Sequence, residues 1–347
     1  MKILFLTGEI YGLSSLLINE MKRQGHDISI IKDRVLPYES GFNNTPLFRR
    51  IKNRFHNQED IKKKYWNSYF NSNPHILEKK HDICLCINGY SLAPLFFEKM
   101  KKRNPEMKFI LYLWDSLNFF DFKRNFNYFD KIYSFDYEDG KSNPSIDFLP
   151  FYWISPTNIN GDNKYHMTSV GSNHCNRLYI TEKIAKQLDE WGLSYKFKIV
   201  DSCNGKFSLK LLLNLFRSYL INDYANVKEI KAHLGYIDSP LLTKNAISIE
   251  ETINLIANSE CVLDTDNEIQ AGPTPRLMWA MALGKKIVTT NRHVINMPFY
   301  NKCSIFIIDR KKPCLDYSFI NNDISDSDTS FFEKYRIDNW VKYILGQ

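Results

Sequence analysis

The polar chemistry of this chain is densest in the segment Asp264-Thr265-Asp266-Asn267-Glu268-Ile269-Gln270-Ala271-Gly272-Pro273-Thr274-Pro275-Arg276. Asp266, Asn267 and Gln270 offer carboxylate and amide groups suited to sugar or ribose hydroxyls. Gly272 lets backbone approach a ligand. Thr274 can cap a helix starting at Pro275, where a missing N–H costs nothing. Arg276 beside that helix N-terminus suits a diphosphate. The alternative is a polar loop over a buried helix.

A second segment, Val170-Gly171-Ser172-Asn173-His174-Cys175-Asn176-Arg177, joins an expected strand to an expected helix. A turn at Gly171, Ser172 and Asn173 would free backbone N–H groups for phosphate, with the Arg177 fork as counter-charge. His174 is a candidate acid–base group. An ordinary strand-to-helix loop with an exposed arginine is the alternative. The third segment, Tyr112-Leu113-Trp114-Asp115-Ser116, places a carboxylate after an apolar run. Asp115 suits general-base work on a hydroxyl, and Trp114 suits stacking on a sugar ring. Asp115 equally suits the N-cap of a following helix. The fourth, Thr7-Gly8-Glu9-Ile10-Tyr11-Gly12, is a G-x-x-x-G turn, short of the dinucleotide G-x-G-x-x-G pattern. Gly8 is a candidate donor-binding position and Glu9 a second candidate base. Asp33, about 20 positions on, is a candidate ribose-binding acid.

These loops need elements to hold them. Residues 3–7 form an apolar run, Leu13, Leu16, Leu17, Glu20 and Met21 have helical spacing, and Ile28–Ile31 is a second apolar run. Strand, helix, strand within about 30 residues is the length of a βαβ unit. The pattern continues with strands at 83–87, 108–113 and 131–135 and helices at 92–102 and 119–129. Residues 140–165, with Pro144, Pro150, Pro156 and Gly161, read as a hinge. A second alternating series follows: strands at 167–170, 195–200, 261–264, 286–289 and 304–308, with helices at 180–191, 209–220, 249–257 and 276–283. Residues 313–330 read as a polar loop, and 331–345 has helical spacing. The expectation is an α/β chain of two Rossmann-like, doubly wound domains facing a cleft, with ligands at the carboxyl ends of the strands. The expected boundaries are 1–155, 156–325 and a helix at 328–347 packing back on the first domain.

Composition narrows the class. A length of 347 residues suits about two domains, large enough to fold without disulfides or metal. No apolar run reaches the roughly 18 residues of a spanning helix, and Met1–Leu6 lacks the features of a signal peptide. Seven cysteines, an odd number without framework spacing, read as reduced thiols of a cytosolic chain. Cys84 and Cys86 share one strand face with no second pair to complete a zinc site. The net charge of +7 is concentrated: residues 41–80 hold nine basic and three acidic side chains. Arg49, Arg50, Lys62, Lys63 and Lys64, interleaved with Phe48, Phe55, Tyr65, Trp66, Tyr69 and Phe70, read as one basic, aromatic face. It suits an anionic membrane surface or acceptor; no motif for nucleic acid accompanies it. A solvated helix pair with its aromatics in the core is the alternative.

The stretches 109–116, 129–136, Val170–His174 with Arg177, 261–264 and 270–276, ending in Ala282-Leu283-Gly284-Lys285-Lys286-Ile287-Val288-Thr289-Thr290-Asn291, together resemble bacterial GT-B glycosyltransferases. The chain is most similar to the CgeB-like branch and to lipopolysaccharide- and capsule-biosynthesis enzymes. The resemblance implies a hexosyl- or related sugar transferase. Its nucleotide-sugar donor would be held by the C-terminal domain at Gly171, Ser172, Asn173, Arg177, Asp266, Asn267, Gln270, Gly272, Thr274 and Arg276. It further implies a glycan or lipid-linked acceptor, no metal or resident cofactor, and a cytoplasmic location, peripheral on the inner membrane face. One departure stands out: Trp279 lies near the place where many such enzymes carry a ribose-binding Glu. An NAD(P)-binding oxidoreductase and a non-catalytic assembly partner of the same fold are the rival expectations.

Overall fold

The computed structural model describes residues 1–8, 12–33, 58–120, 122–157, 163–201, 209–220, 227, 239–322 and 329–347. Glu9, Arg49 and Arg50 lie outside the described residues. The chain divides into two units, Met1–Pro150 with Ile337–Gln347, and Phe151–Arg336. Each holds a six-stranded sheet whose strand pairs are all parallel.

The first unit runs β1 (Lys2–Thr7), α1 (Leu13–Arg23), β2 (Asp27–Lys32), α2 (Gln58–Ser72), α3 (Pro74–Glu78), β3 (Ile83–Ile87), α4 (Pro94–Arg103), β4 (Lys108–Leu113), β5 (Lys131–Ser134), α5 (Tyr137–Ser142) and β6 (Asp147–Phe148). The strand order is β2-β1-β3-β4-β5-β6. β3 reads Ile-Cys-Leu-Cys-Ile and is buried at every position, as expected of a parallel strand covered on both faces. One face of the sheet packs Leu4, Cys84, Cys86, Phe109 and Leu111 against Trp66, Phe70, Phe96 and Phe97. Each such side chain contributes about 1.5–3 kcal/mol on burial.

The basic, aromatic segment folds differently from its composition. Lys62, Trp66 and Phe70 are four residues apart, so α2 turns all three to one side, and that side is the core. Lys62 has no exposed surface and donates from Nζ to the Tyr90 carbonyl. Trp66 Nε1 donates to Ser91 O at 2.9 Å. Lys62 is therefore not part of a membrane or acceptor face; Lys63 and Lys64, one step round the helix, are exposed.

The expected helix at 119–129 is a 3₁₀ helix over Lys123–Tyr128. Its aromatics pack on the core from a turn that starts where Ser116 O accepts from Phe119 N and Phe120 N. The terminal pattern is also interrupted. A 3₁₀ helix Ser330–Tyr335 belongs to the second unit, Arg336 is extended, and the C-terminal helix Ile337–Ile344 belongs to the first. There Trp340 Nε1 donates to Pro150 O at 2.9 Å, and its ring meets Tyr112 edge-on at 4.9 Å. The hinge region is shorter than its proline content suggests, because α5 and β6 occupy much of 140–148.

The second unit runs β7 (Tyr165–Ser172), α6 (Arg177–Glu190), β8 (Tyr195–Val200), α7 (Leu209–Leu220), β9 (Leu242–Thr243), α8 (Ile249–Ala257), β10 (Ser259–Asp264), α9 (Pro275–Ala282), β11 (Lys286–Thr289), β12 (Ile305–Ile307) and α10 (Tyr317–Asn321). The order β12-β11-β10-β7-β8-β9 puts β7 and β10 side by side at the centre. From β7 the chain winds one way and from β10 the other, so their carboxyl ends form a topological switch point. The core beneath holds Met167, Ile180, Ile184, Leu188, Ile199, Leu263 and Val288.

Candidate functional site

The switch point of the second unit gathers three arginines and a histidine. Arg177 opens α6, and its guanidinium lies back over the end of β7. Nη1 donates to Ser172 O at 2.6 Å, Nη2 to Thr265 O at 2.7 Å and Nε to Thr265 Oγ1 at 2.5 Å. Gly171 is required below it, since a Cβ there would lie 2.4 Å from Arg177 Nη1. Arg177 is 4% exposed. It is thus an internal strut between the β7 and β10 loops, not the solvent-facing phosphate fork its sequence position suggests. The same geometry revises Gly171 and Ser172. Both continue the β7 ladder opposite Ile199 and Val200, and Asn173 N donates to Val200 O at 2.8 Å. The turn comes later, at Cys175 and Asn176, both left-handed with φ of 53° and 57°.

Arg276 stands at the start of α9. Thr274 caps this helix, accepting from Leu277 N at 3.2 Å, and Pro275 occupies the first turn. Thr274 Oγ1 also donates to Asp264 Oδ1 at 2.7 Å. Arg276 donates to the same oxygen from Nε at 3.2 Å and Nη2 at 3.0 Å, and to Thr265 O at 3.2 Å. Asp264 is fully buried, and its Oδ2 has no hydrogen-bond partner among the described residues. Gly272 is buried, and its carbonyl accepts from Asn291 Nδ2 at 3.2 Å. Trp279 is buried too, with Nε1 donating to Tyr152 O at 3.0 Å; the indole anchors α9 to residues of its own unit.

Arg310, absent from the sequence-based candidates, completes the group. It follows β12 and donates from Nη1 to Cys175 O at 2.7 Å and from Nη2 to Asp266 O at 2.9 Å and Thr290 Oγ1 at 3.1 Å. It also pairs with the Asp266 carboxylate, and its Nε lies 3.1 Å from Glu268 Oε1. Asp266 is buried, and its carboxylate also receives the Thr290 hydroxyl. Burial raises its pKa, opposed by Thr290 and Arg310. Asp266 is an internal anchor rather than a hydroxyl-binding group at the surface. Asn267 Oδ1 faces Cys175 Sγ at 3.6 Å, and Asn267 O accepts from Gln270 N at 2.9 Å. Its place just after the expected strand at 304–308 is the signal that could have found it, but its neighbours Lys311 and Lys312 make the stretch look like a solvated charge run.

His174 sits over this cluster, its Nε2 3.5 Å from Arg177 Nη1. Desolvation, then the charges of Arg177, Arg276 and Arg310, push its pKa down to about 4. His174 is exposed to solvent, which makes the three guanidiniums the firmer physical cause. His174 is therefore neutral at pH 7.

In the first unit, Asp115 follows β4 and is half-buried. Its Oδ2 accepts from Asn88 Nδ2 at 2.9 Å and from the Tyr90 hydroxyl at 2.5 Å. Asn88 Oδ1 in turn accepts from Trp114 N at 2.7 Å and Asp115 N at 3.2 Å. The turn carrying Asn88 and Tyr90 is left-handed at Asn88 and Gly89, φ 58° and 68°. Asp33 holds it by accepting from Tyr90 N at 2.9 Å and Ser91 N at 3.0 Å. Asp33 is therefore a structural acid rather than a ribose ligand. Trp114 is 5% exposed, which removes it as a stacking platform. Residues 116–120 form turns rather than a helix, so Asp115 is not a helix N-cap. Asp139 supports the loop instead, accepting from Leu117 N at 3.2 Å and Ser134 Oγ at 2.7 Å; burial pushes its pKa up to about 6. Gly8 ends the β1 run, and its carbonyl accepts from Ser14 Oγ at 2.6 Å. Gly8 and Asp115 thus belong to the first unit, and the other described donor-site candidates with His174 to the second.

No protein-family model and no curated protein sequence matches the chain. Among solved structures, Anabaena Alr3699/HepE, crystallised with UDP and glucose, is similar over 100% of both chains at 12% identity and a TM-score of 0.53. The lipopolysaccharide outer core galactosyltransferase WaaB is similar over 100% of this chain and 98% of its own, with 12% identity and a TM-score of 0.47. MurG of Acinetobacter baumannii covers 99% of this chain and 94% of its own at 9% identity and a TM-score of 0.46. The first of these likenesses, with the two parallel sheets and their flanking helices, establishes the two-domain α/β fold of the GT-B type.

Proposed function

We propose that the protein is a glycosyltransferase that moves a hexosyl or related sugar from a nucleotide-sugar donor to a growing cell-surface glycan. The acceptor class we assign is lipopolysaccharide, O-antigen or capsule, in the manner of the CgeB-like branch. The observation that carries this reading is the cationic switch point of the second unit, with Arg276 at the N-terminus of α9. That arrangement is suited to a leaving diphosphate. The similarity in fold to HepE, a protein solved with UDP and glucose, supports the choice of donor.

In the transfer, an acceptor hydroxyl oxygen bonds to the anomeric carbon while the bond from that carbon to the diphosphate oxygen breaks. Asp115 takes the hydroxyl proton, held in place by Asn88 and Tyr90. Arg276 and the α9 dipole stabilise the negative charge left on the diphosphate, without a metal ion. Neutral His174 accepts a hydrogen bond, or a proton as charge builds. Gln270 and Asn267 are assigned to donor hydroxyls.

We further place the protein on the inner face of the cytoplasmic membrane, where lipid-linked acceptors are held. Exposed Lys63 and Lys64, with Arg49 and Arg50 nearby in sequence, supply the attraction to anionic lipid. Reversing Lys63 and Lys64 to Glu should weaken binding to anionic vesicles and leave stability unaltered; unchanged binding would remove this placement.

The deciding experiment is calorimetric titration of the protein with UDP, GDP, CMP and dTDP alongside NAD and NADP. One nucleoside diphosphate or CMP should bind and the dinucleotides should not. Binding of NAD(P) alone would overturn the reading in favour of an oxidoreductase, which the engagement of Asp33 by Tyr90 and Ser91 already disfavours.

A further inference from the structure

We infer that Arg310 is a positioning residue, locking the loops after β7, β10 and β11 into one frame from which Arg276 presents its guanidinium edge to an incoming phosphate. This rests on the donor site proposed above and divides the labour within it.

A guanidinium carries five N–H groups in a rigid fork, so its engagements can be followed atom by atom. Those of Arg177 point inward, to Ser172 O and to both oxygens of Thr265. Those of Arg310 reach three separate loops: Cys175 O after β7, Asp266 O and carboxylate after β10, and Thr290 Oγ1 after β11. Its side chain is 10% exposed. Arg276 differs. All its hydrogen bonds to described residues come from Nε and Nη2, on the side facing Asp264 and Thr265. Its Nη1 makes none, and the side chain is 18% exposed. A phosphate oxygen therefore has a donor edge at Arg276, while Arg177 and Arg310 are held by the protein.

Arg310 is the member whose loss would separate the loops. The β7 loop enters α6 through two consecutive left-handed residues, Cys175 and Asn176, and Arg310 holds the Cys175 carbonyl. Such residues persist only where the surroundings over-determine them. The β10 loop depends on the same side chain through the buried Asp266. A lysine keeps the charge but is a single point donor and cannot bridge three loops as the planar fork does.

The test compares Arg310→Lys with Arg276→Lys in the full chain. Hydrogen exchange of segments 173–176 and 265–270 is measured with the UDP dissociation constant, or that of whichever of GDP, CMP and dTDP the wild type binds. Arg310→Lys should accelerate exchange in both segments together and weaken nucleotide binding tenfold or more. Arg276→Lys should weaken binding without accelerating the two segments together: its one bond to them is at Thr265 O, so exchange of 173–176 stays as in the wild type. Thr290→Val, which removes one anchor of Arg310, should move exchange in the same direction by less; it serves if Arg310→Lys does not fold. Unaltered exchange in Arg310→Lys and Thr290→Val, or wild-type affinity in Arg310→Lys, would overturn the inference. A wild type that binds no nucleotide overturns the donor reading instead, while coupled exchange in the two segments still decides whether Arg310 locks the frame.

Discussion

Gly171 and Arg177 are packed so that no side chain fits between them: a Cβ on Gly171 would lie 2.4 Å from Nη1 and 2.9 Å from Cζ of Arg177. The guanidinium cannot retreat easily, because Thr265 and Ser172 hold it from the other side. Gly171→Ala should therefore destabilise the second unit by about 1–3 kcal/mol, the usual range for overpacking. Denaturant unfolding checks this. The same variant should weaken nucleotide binding, because the displaced guanidinium disturbs Thr265 and with it the support of Arg276.

His174 gives the site a pH dependence of definite sign. Its pKa, near 6.5 in the unfolded chain, is about 4 in the fold. Between those values the unfolded chain binds the proton and the folded chain does not, so stability falls as pH drops from about 6.5 toward about 4. A bound diphosphate offsets the three arginines and raises the His174 pKa again. Nucleotide binding should accordingly take up a proton in this window and tighten as pH falls. Calorimetry in buffers of different ionisation enthalpy measures the uptake, and His174→Gln should abolish it.

Asp139 works in the opposite direction. Its folded pKa of about 6 lies above the ordinary 3.8, so the folded state holds the proton more tightly. The contribution to stability is present at low pH and is lost as pH rises through about 4 to 6. It amounts to roughly 2–3 kcal/mol across the window. Asp139→Asn keeps an acceptor for Leu117 N and should flatten that part of the stability-versus-pH curve, read by chemical denaturation at stepped pH.

Asp115→Asn retains the bonding geometry toward Asn88 and Tyr90 only in part, and removes the base. Sugar transfer should fall by roughly 10²–10⁴-fold. Nucleotide affinity should not change, since Asp115 and the arginine cluster belong to different units. A transferase assay beside a binding titration separates the two quantities; equal loss in both would place Asp115 in donor binding.

Much of the fold was legible in the sequence because fully buried parallel strands are continuous apolar runs, as at Ile83–Ile87 and Cys261–Leu263. The start of α9 was equally plain, with Thr274 as cap and Pro275 after it. The β9 strand, two residues long, left no pattern to read. Within the site, residue type was visible but direction was not. Arg177 and Asp266 have the chemistry expected of ligand-binding groups and use it inward, a distinction set by neighbours distant in sequence such as Thr265 and Arg310. Lys62 misleads for the same reason. A lysine among lysines reads as solvated, and only its four-residue spacing from Trp66 and Phe70 hints that it points inward.

The division of the chain has a consequence for its synthesis. The second unit, Phe151–Arg336, is one continuous stretch, whereas the first needs Ile337–Gln347 to cover its sheet with Trp340. Domains tend to fold as units while the chain emerges from the ribosome. The half that begins first is therefore finished last: its sheet waits, partly uncovered, until translation has passed through the whole of the other unit.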